Sequence, residues 1–221
     1  MNIKKTADLL INCAMKRLAE ILGIVVIILG TILLISLLTY SPEDPNFIFP
    51  DSTKIKNLLG FYGSFISDLF FQSVGLIAYL FSFTLIMTGL NIFRKKDFFL
   101  IIENTFFAIL YSILGTLFLA HFYSKGFELY INGNGGFIGN YLNQTFLNSL
   151  IKIDENIFYY ILISLVLFLF LVSINFNLKS FYIYIKKILS FISKNKSTNY
   201  TDKSEIINEY IPQDEIKNLI K

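Results

Sequence analysis

The chain is poor in the residues that most chemistry uses. Of its 221 residues, one is cysteine (Cys13), one is histidine (His121), and only 16% carry charge. A single cysteine excludes an intrachain disulfide and a thiolate zinc site. One histidine leaves metal chemistry almost nothing to build on, so no metal or other cofactor is expected. No glycine follows Gly139, which excludes a phosphate-binding Gly-x-x-x-x-Gly-Lys-[Ser/Thr] loop from the last third of the chain. The Gly133-Asn134-Gly135-Gly136 cluster reads instead as a tight turn with positive φ angles. Gly135 and Gly139 also make a Gly-x-x-x-Gly pair, a weak sign of helix association outside a span.

Charge is also missing in long blocks. Ile21–Pro42, Leu69–Phe93, Asn104–Ser124 and Asn156–Leu178 contain no Asp, Glu, Lys or Arg. Each is longer than the roughly 18–20 residues a helix needs to cross a ~30 Å hydrocarbon core. With 54% hydrophobic residues and a mean hydropathy of +0.60, the composition is that of a multi-pass membrane protein. The expected fold is an all-α membrane protein with four transmembrane helices, at about 21–40, 70–93, 104–123 and 156–178. The first run is longer than a signal-peptide core and has no cleavage site before Pro42, so it reads as an uncleaved signal anchor.

Basic residues set the orientation. Lys4, Lys5, Lys16 and Arg17, then Arg94, Lys95 and Lys96, then the lysines from Lys179 to Lys221 fall on one side. Only Lys54, Lys56, Lys125 and Lys152 fall on the other. Both termini are therefore expected in the cytoplasm. Residues 1–19 form a cytoplasmic amino-terminal segment, 20–180 the four-helix domain, and 181–221 a juxtamembrane helix and linker. In the juxtamembrane part, Phe181, Ile185, Ile188 and Ile192 share a face beside Lys186 and Lys187, which suits an anionic lipid surface.

The two outer loops carry helical periodicity. Ile55, Leu58, Leu59, Tyr62, Phe65, Ile66 and Leu69 recur at helical spacing, as do Ile138, Tyr141, Leu142, Thr145, Phe146 and Leu150. Each reads as an amphipathic helix at the outer interface or packed on the bundle. The segments resemble each other: Gly60-Phe61-Tyr62-Gly63-Ser64-Phe65-Ile66-Ser67 aligns with Gly136-Phe137-Ile138-Gly139-Asn140-Tyr141-Leu142-Asn143. The bundle is thus expected to be two copies of one helical hairpin, related by an axis along the membrane normal.

Catalysis would need ionisable groups in or beside the spans. His121 and Glu103 are the only candidates, and both read as interfacial residues, Glu103 being favoured by the positive end of a helix dipole. No catalytic, cofactor-binding or metal-binding residue is assigned. The rival to a structural role is a small transporter or channel. It would need a polar path built from Ser36, Ser82, Thr84, Thr88, Asn91, Ser112, Thr116 and Ser164, which are scattered and uncharged.

The motifs resemble a known family. Tyr40-Ser41-Pro42-Glu43-Asp44-Pro45 directly follows the first run. Asn57-Leu58-Leu59-Gly60-Phe61-Tyr62-Gly63 and Ser67-Asp68-Leu69-Phe70-Phe71-Gln72 come next, then Gly75, and finally Gly133-x-Gly135-Gly136-x-Ile138-Gly139. Over about residues 15–180 the chain resembles the amino-terminal four-helix membrane region of FtsK-type bacterial DNA translocases. The resemblance implies an anchor in the bacterial inner membrane at the division septum, acting in cell division and chromosome segregation. It implies division-site membrane proteins and sister subunits as partners, with a hexamer suggested by the family's motors. The motor with its Walker loop is not in this chain, which reads as a fragment, as the partner of a separate motor, or as a protein that has lost it. No enzymatic activity and no direct nucleic-acid or nucleotide binding are therefore expected of it.

Fusing a topology reporter after Lys96 should give cytoplasmic activity, and fusing one after Gly133 should give the periplasmic signal. The opposite pattern would invert the orientation derived from the basic residues.

Overall fold

The computed structural model describes residues 3–45, 54–124 and 132–177, together with 179, 182, 183, 185–187 and 190. It divides into two units, 1–176 and 177–221. In the second, Tyr182, Ile183, Ile185, Lys186, Lys187 and Ser190 are helical. Phe181, Ile188 and Ile192 of the expected apolar face, and the tail after them, lie outside the described residues. The first unit consists of α1 (Ile3–Leu38), α2 (Gly60–Val74), a 3-10 turn (Gly75–Ile77), α3 (Ala78–Lys95), α4 (Phe99–Phe122), α5 (Gly136–Asn143), α6 (Phe146–Ile151) and α7 (Glu155–Ser173). Four helical segments, Asp8–Leu38, Gly60–Lys95, Phe99–Phe122 and Glu155–Ser173, are long and apolar enough to cross a membrane.

α1 continues well beyond the charge-free run because nothing in residues 3–20 breaks a helix. It stops at Leu38, ahead of Pro42, and at ~1.5 Å per residue its 36 residues reach about 54 Å. It pairs with α3 through Ala19, Gly23, Val26, Gly30, Leu33 and Leu37, alternately four and three residues apart and all buried. Glycine permits this approach. A Cβ on Gly23 would lie 2.8 Å from the Gly89 carbonyl oxygen, and one on Gly89 would lie 2.6 Å from that of Gly23. α3 ends at Lys96, which takes a left-handed conformation with φ 58° and donates its N–H to the Ile92 carbonyl. The Lys96 ammonium then meets Glu20 at 2.6 Å, tying the α3–α4 turn to α1.

The second apolar run is not one continuous helix. It breaks at Gly75, where φ is +59°, so α2 includes Phe70–Val74, which sequence reasoning placed in the span. The first outer helix also faces the opposite way from a soluble amphipathic helix. α2 buries Gly63, Ser64, Ser67, Asp68 and Phe71, while Leu58 and Tyr62, each 77% exposed, and Leu69 point outward. In lipid, apolar side chains gain little by packing on one another. Small and hydrogen-bonding residues take the contact surface instead.

The two halves are built alike. α1 pairs with α3, and α4 with α7. Each inserts a short helix that starts on a positive-φ glycine, Gly60 at +65° and Gly136 at +63°. In each the glycine N–H closes a turn, Gly60 to Asn57 at 3.0 Å and Gly136 to Gly133 at 3.2 Å. An asparagine amide in each turn reaches back to the preceding long helix or its end, Asn57 to the Ser36 carbonyl at 2.9 Å and Asn134 to the Tyr123 carbonyl at 2.6 Å. The halves differ after that point, because the second has two short helices, with Thr145 capping α6, where the first has α2 alone.

Replacing Gly89 with Leu should push α1 from α3 and lower the melting temperature of the detergent-solubilised protein, by the ~1–3 kcal/mol or more typical of overpacking. Replacing the outward-facing Leu90 with Ala should change it far less. Equal effects would mean that the glycine contact does not hold the hairpin.

Candidate functional site

The motifs that stand apart in the sequence converge at one end of the bundle. The Tyr40–Pro45 turn is held by a buried carboxyl group. Asp44, 2% exposed, accepts the Lys56 N–H on one oxygen and the Asn57 N–H on the other, both at 2.8 Å. Asn57, so placed, lends its own side-chain oxygen to the Leu59 N–H at 3.0 Å. Ser64 donates to the Pro45 carbonyl at 2.9 Å, and Ser36 of α1 donates to the Gly63 carbonyl. The Tyr40 hydroxyl donates to Asp68 at 3.1 Å, and its ring meets Phe71 edge-on at 4.9 Å. Together these contacts clasp α2 to the end of α1.

The rim of the clasp is different. Glu43 and Lys56 form an exposed ion pair, and its hydrogen bond holds the Glu43 carboxyl below its ordinary value of 4.5. A depressed carboxyl pKa contributes stability above the unfolded value and loses it as pH falls through the lowered one. With both side chains in solvent, that contribution is small.

The second convergence is a glycine junction between the halves. Leu76 donates its N–H to the Asn134 carbonyl at 3.0 Å, and a side chain on Gly75 would collide with that carbonyl. A Cβ on Gly136 would lie 2.6 Å from the Gly75 nitrogen and from the Ser73 oxygen, and one on Gly135 2.5 Å from the Thr116 oxygen. Gly139 packs on Thr116 as well. Asn132 adds a hydrogen bond of 3.1 Å to Gln72. The positive-φ turn expected at Gly133–Gly136 is present at Gly133 and Gly136, but Gly135 has φ −87°. The Gly135/Gly139 pair, a weak signal in the sequence, seats α5 against α4.

The ionisable candidates do not come together. Glu103 is exposed on α4. His121 lies near the end of α4, its side chain 8% exposed, 3.9 Å from Glu155 and 3.1 Å from the Asn143 side chain. It links α4, α5 and α7. Among the described residues no group of three or more His, Cys, Asp or Glu is placed to hold a metal.

A polar network at the other end was not foreseen. Thr84 meets the Tyr111 hydroxyl at 2.9 Å and Ser173 at 3.3 Å. Asn104 donates to Thr88 at 3.0 Å and accepts from Asn175, while Asn91 donates to the Ile174 carbonyl at 2.9 Å. Its only trace in the sequence is Asn and Thr inside apolar runs, and such residues cannot be paired without knowing which helices adjoin.

What these features define is a polytopic membrane domain whose most distinctive residues are spent on joining helices. The family model described as "4TM region of DNA translocase FtsK/SpoIIIE" matches residues 15–185. The chain belongs to that family, and its fold is that of the membrane part of such proteins. Among curated proteins it is similar to "DNA translocase FtsK" of Azospirillum brasilense, with 29% identity over 108 residues, 48% of this chain. That stretch is 16% of the relative, so the chain corresponds to a small part of it. No solved structure matches.

Replacing Asp44 with Ala strands two backbone N–H groups, each worth about 1–3 kcal/mol when buried unpaired. The variant should melt clearly earlier in detergent at neutral pH, while Lys56→Gln should leave the melting temperature almost unchanged. An effect of Lys56→Gln as large as that of Asp44→Ala would mean that the exposed pair, not the buried carboxyl, holds the turn.

Proposed function

We propose that this chain is the membrane-anchoring domain of an FtsK-type DNA translocase, holding it in the bacterial inner membrane at the division septum for chromosome segregation. The observation that carries this reading is the coincidence between the family's motifs and the two junctions. Tyr40, Asp44, Asn57, Gly63, Asp68, Gly75, Gly136 and Gly139 all contribute to the clasp or the glycine contact. A domain whose distinctive residues fix helix positions suits a positional role. On this reading both termini are cytoplasmic, residues 181–221 lead toward the motor, and the outer loops meet division-site proteins or sister copies.

The transporter reading has less support. Ser36 and Ser82 donate to carbonyls, as do Asn91, Thr116 and Ser164. Thr84 and Thr88 are bonded across helices. Ser82, Thr116 and Ser164 bond back to their own helices, while Ser36, Thr84, Thr88 and Asn91 bond to neighbouring elements, so these groups are engaged within the protein, Ser112 being the exception. A fluorescent fusion should gather at midcell in dividing cells. A uniform membrane signal, or solute flux in liposomes holding the pure protein, would overturn the anchor reading.

A further inference from the structure

Where α2, α3, α4 and α5 meet, the packing leaves a cavity of about 170 Å³. Phe70 and Val74 of α2 and Phe81 of α3 line it from the first half; Ile109, Ser112 and Ile113 of α4 and Ile138 of α5 line it from the second. Val74 immediately precedes Gly75 and Ile138 follows Gly136 by two residues, so the cavity adjoins the glycine junction. Ile109 and Ile113 are also exposed on the outside of α4, which opens the cavity to the surrounding lipid.

All of the lining side chains but Ser112 are hydrocarbon. A serine or threonine on a helix can return its hydroxyl to a carbonyl three or four residues back, as Ser82, Thr116 and Ser164 do here. Ser112 does not. It is nine-tenths buried, and among the described residues its Oγ is the one buried hydroxyl left without a partner. It lies near the middle of α4, about 20 Å from the start and about 15 Å from the end at ~1.5 Å per residue. That helix is long and apolar enough to cross a membrane. A donor placed there meets no acceptor unless a bound molecule brings one.

The lining narrows what that molecule is. Water needs two to four polar partners to stay in a cavity, and Ser112 is the single one offered. A charged ligand would find no counter-charge among these residues. A saturated acyl chain suits the walls but leaves the hydroxyl unpaired. A compact neutral molecule with an apolar body and one hydrogen-bond acceptor satisfies both. The volume sets its size, since a dry apolar cavity of about 150 Å³ accepts benzene. Phe70 and Phe81, with ring centroids 5.6 Å apart, add an aromatic wall that suits a ring. We infer that this cavity is a binding site for a bilayer-soluble ring ketone or quinone, whose carbonyl accepts the Ser112 hydroxyl. Such a ligand enters from the lipid past Ile109 and Ile113. Bound, it touches both halves and reinforces their glycine junction. The site does not depend on the anchor role.

Ligand titration of the full chain in lipid nanodiscs, read by fluorine NMR, tests this. The probes are para-fluoroacetophenone and para-fluoroethylbenzene, which share a shape and differ in the carbonyl. The ketone should bind saturably, and Ser112→Ala should weaken it by about 3- to 10-fold, the scale of one hydrogen bond. Binding of the ethylbenzene should be the same in both chains, and comparing the chains cancels the partition of each probe into lipid. Without ligand, Ser112→Ala should melt no lower than the parent, because it removes a donor that has no acceptor. Saturating ketone should raise the melting temperature of the parent. Absence of saturable ketone binding, equal or tighter ketone binding by Ser112→Ala, or a lower melting temperature of unliganded Ser112→Ala would each overturn the proposal.

Discussion

The hydrogen bond from the Leu76 N–H to the Asn134 carbonyl, 3.0 Å long, joins the two halves at their glycine contact. A helix that breaks inside or beside lipid frees polar backbone groups that hydrocarbon cannot satisfy. The break at Gly75 is tolerable because the opposite half supplies a carbonyl at that point. It can do so only because Gly75 and Gly136 carry no side chains between the two backbone segments. Both φ angles are positive, +59° and +63°, a conformation other residues adopt at a cost. The junction thus makes two demands on glycine at once, close approach and backbone conformation.

The same economy explains the rest of the bundle. Gly23 and Gly89 bring α1 and α3 together, and Gly135 and Gly139 bring α5 onto α4. Serine, threonine and asparagine then fasten what glycine allows to approach. Many large apolar residues face outward, where lipid receives them, as Phe106, Ile113, Ile161 and Phe168 show on α4 and α7, while Leu37, Phe71, Ile92 and Tyr111 fill the inside. A soluble domain would arrange the same residues the other way round, because there the gain comes from removing apolar surface from water. The clasp around Asp44 is the exception that sits at the boundary. There a carboxyl group can be buried because two backbone N–H groups are aimed at it, which satisfies the acceptor and both donors together.

Much of this was legible in advance. Length without charge pointed to four spans, and four helical segments long and apolar enough to cross a membrane are present. The Gly-Phe-x-Gly likeness pointed to paired halves, and each of these does begin a short helix on a left-handed glycine. The inward-facing polar side of α2 was not legible, because the periodicity of Ile55–Leu69 reports which face is apolar but not which solvent that face meets. The break at Gly75 was hidden as well. One glycine inside an apolar run is compatible with a straight helix until a partner backbone competes for its neighbours' hydrogen bonds. The Thr88–Asn104–Asn175 network was invisible for a related reason, since it joins α3 and α4 to the turn after α7, and Asn175 lies 71 residues beyond Asn104.

By itself, the sequence determined that this protein enters a membrane, how many times, and to which family it belongs. Those properties depend on stretches of neighbouring residues, on transfer of local side chains into hydrocarbon, and on short motifs read in order. The tertiary structure alone decided what the motifs are for. Asp44 and Asn57, or Leu76 and Asn134, are separated in the chain, and their meaning is a distance of about 3 Å that no local pattern encodes. Burial in lipid places each helix, but only contact between helices determines which face of each is inside.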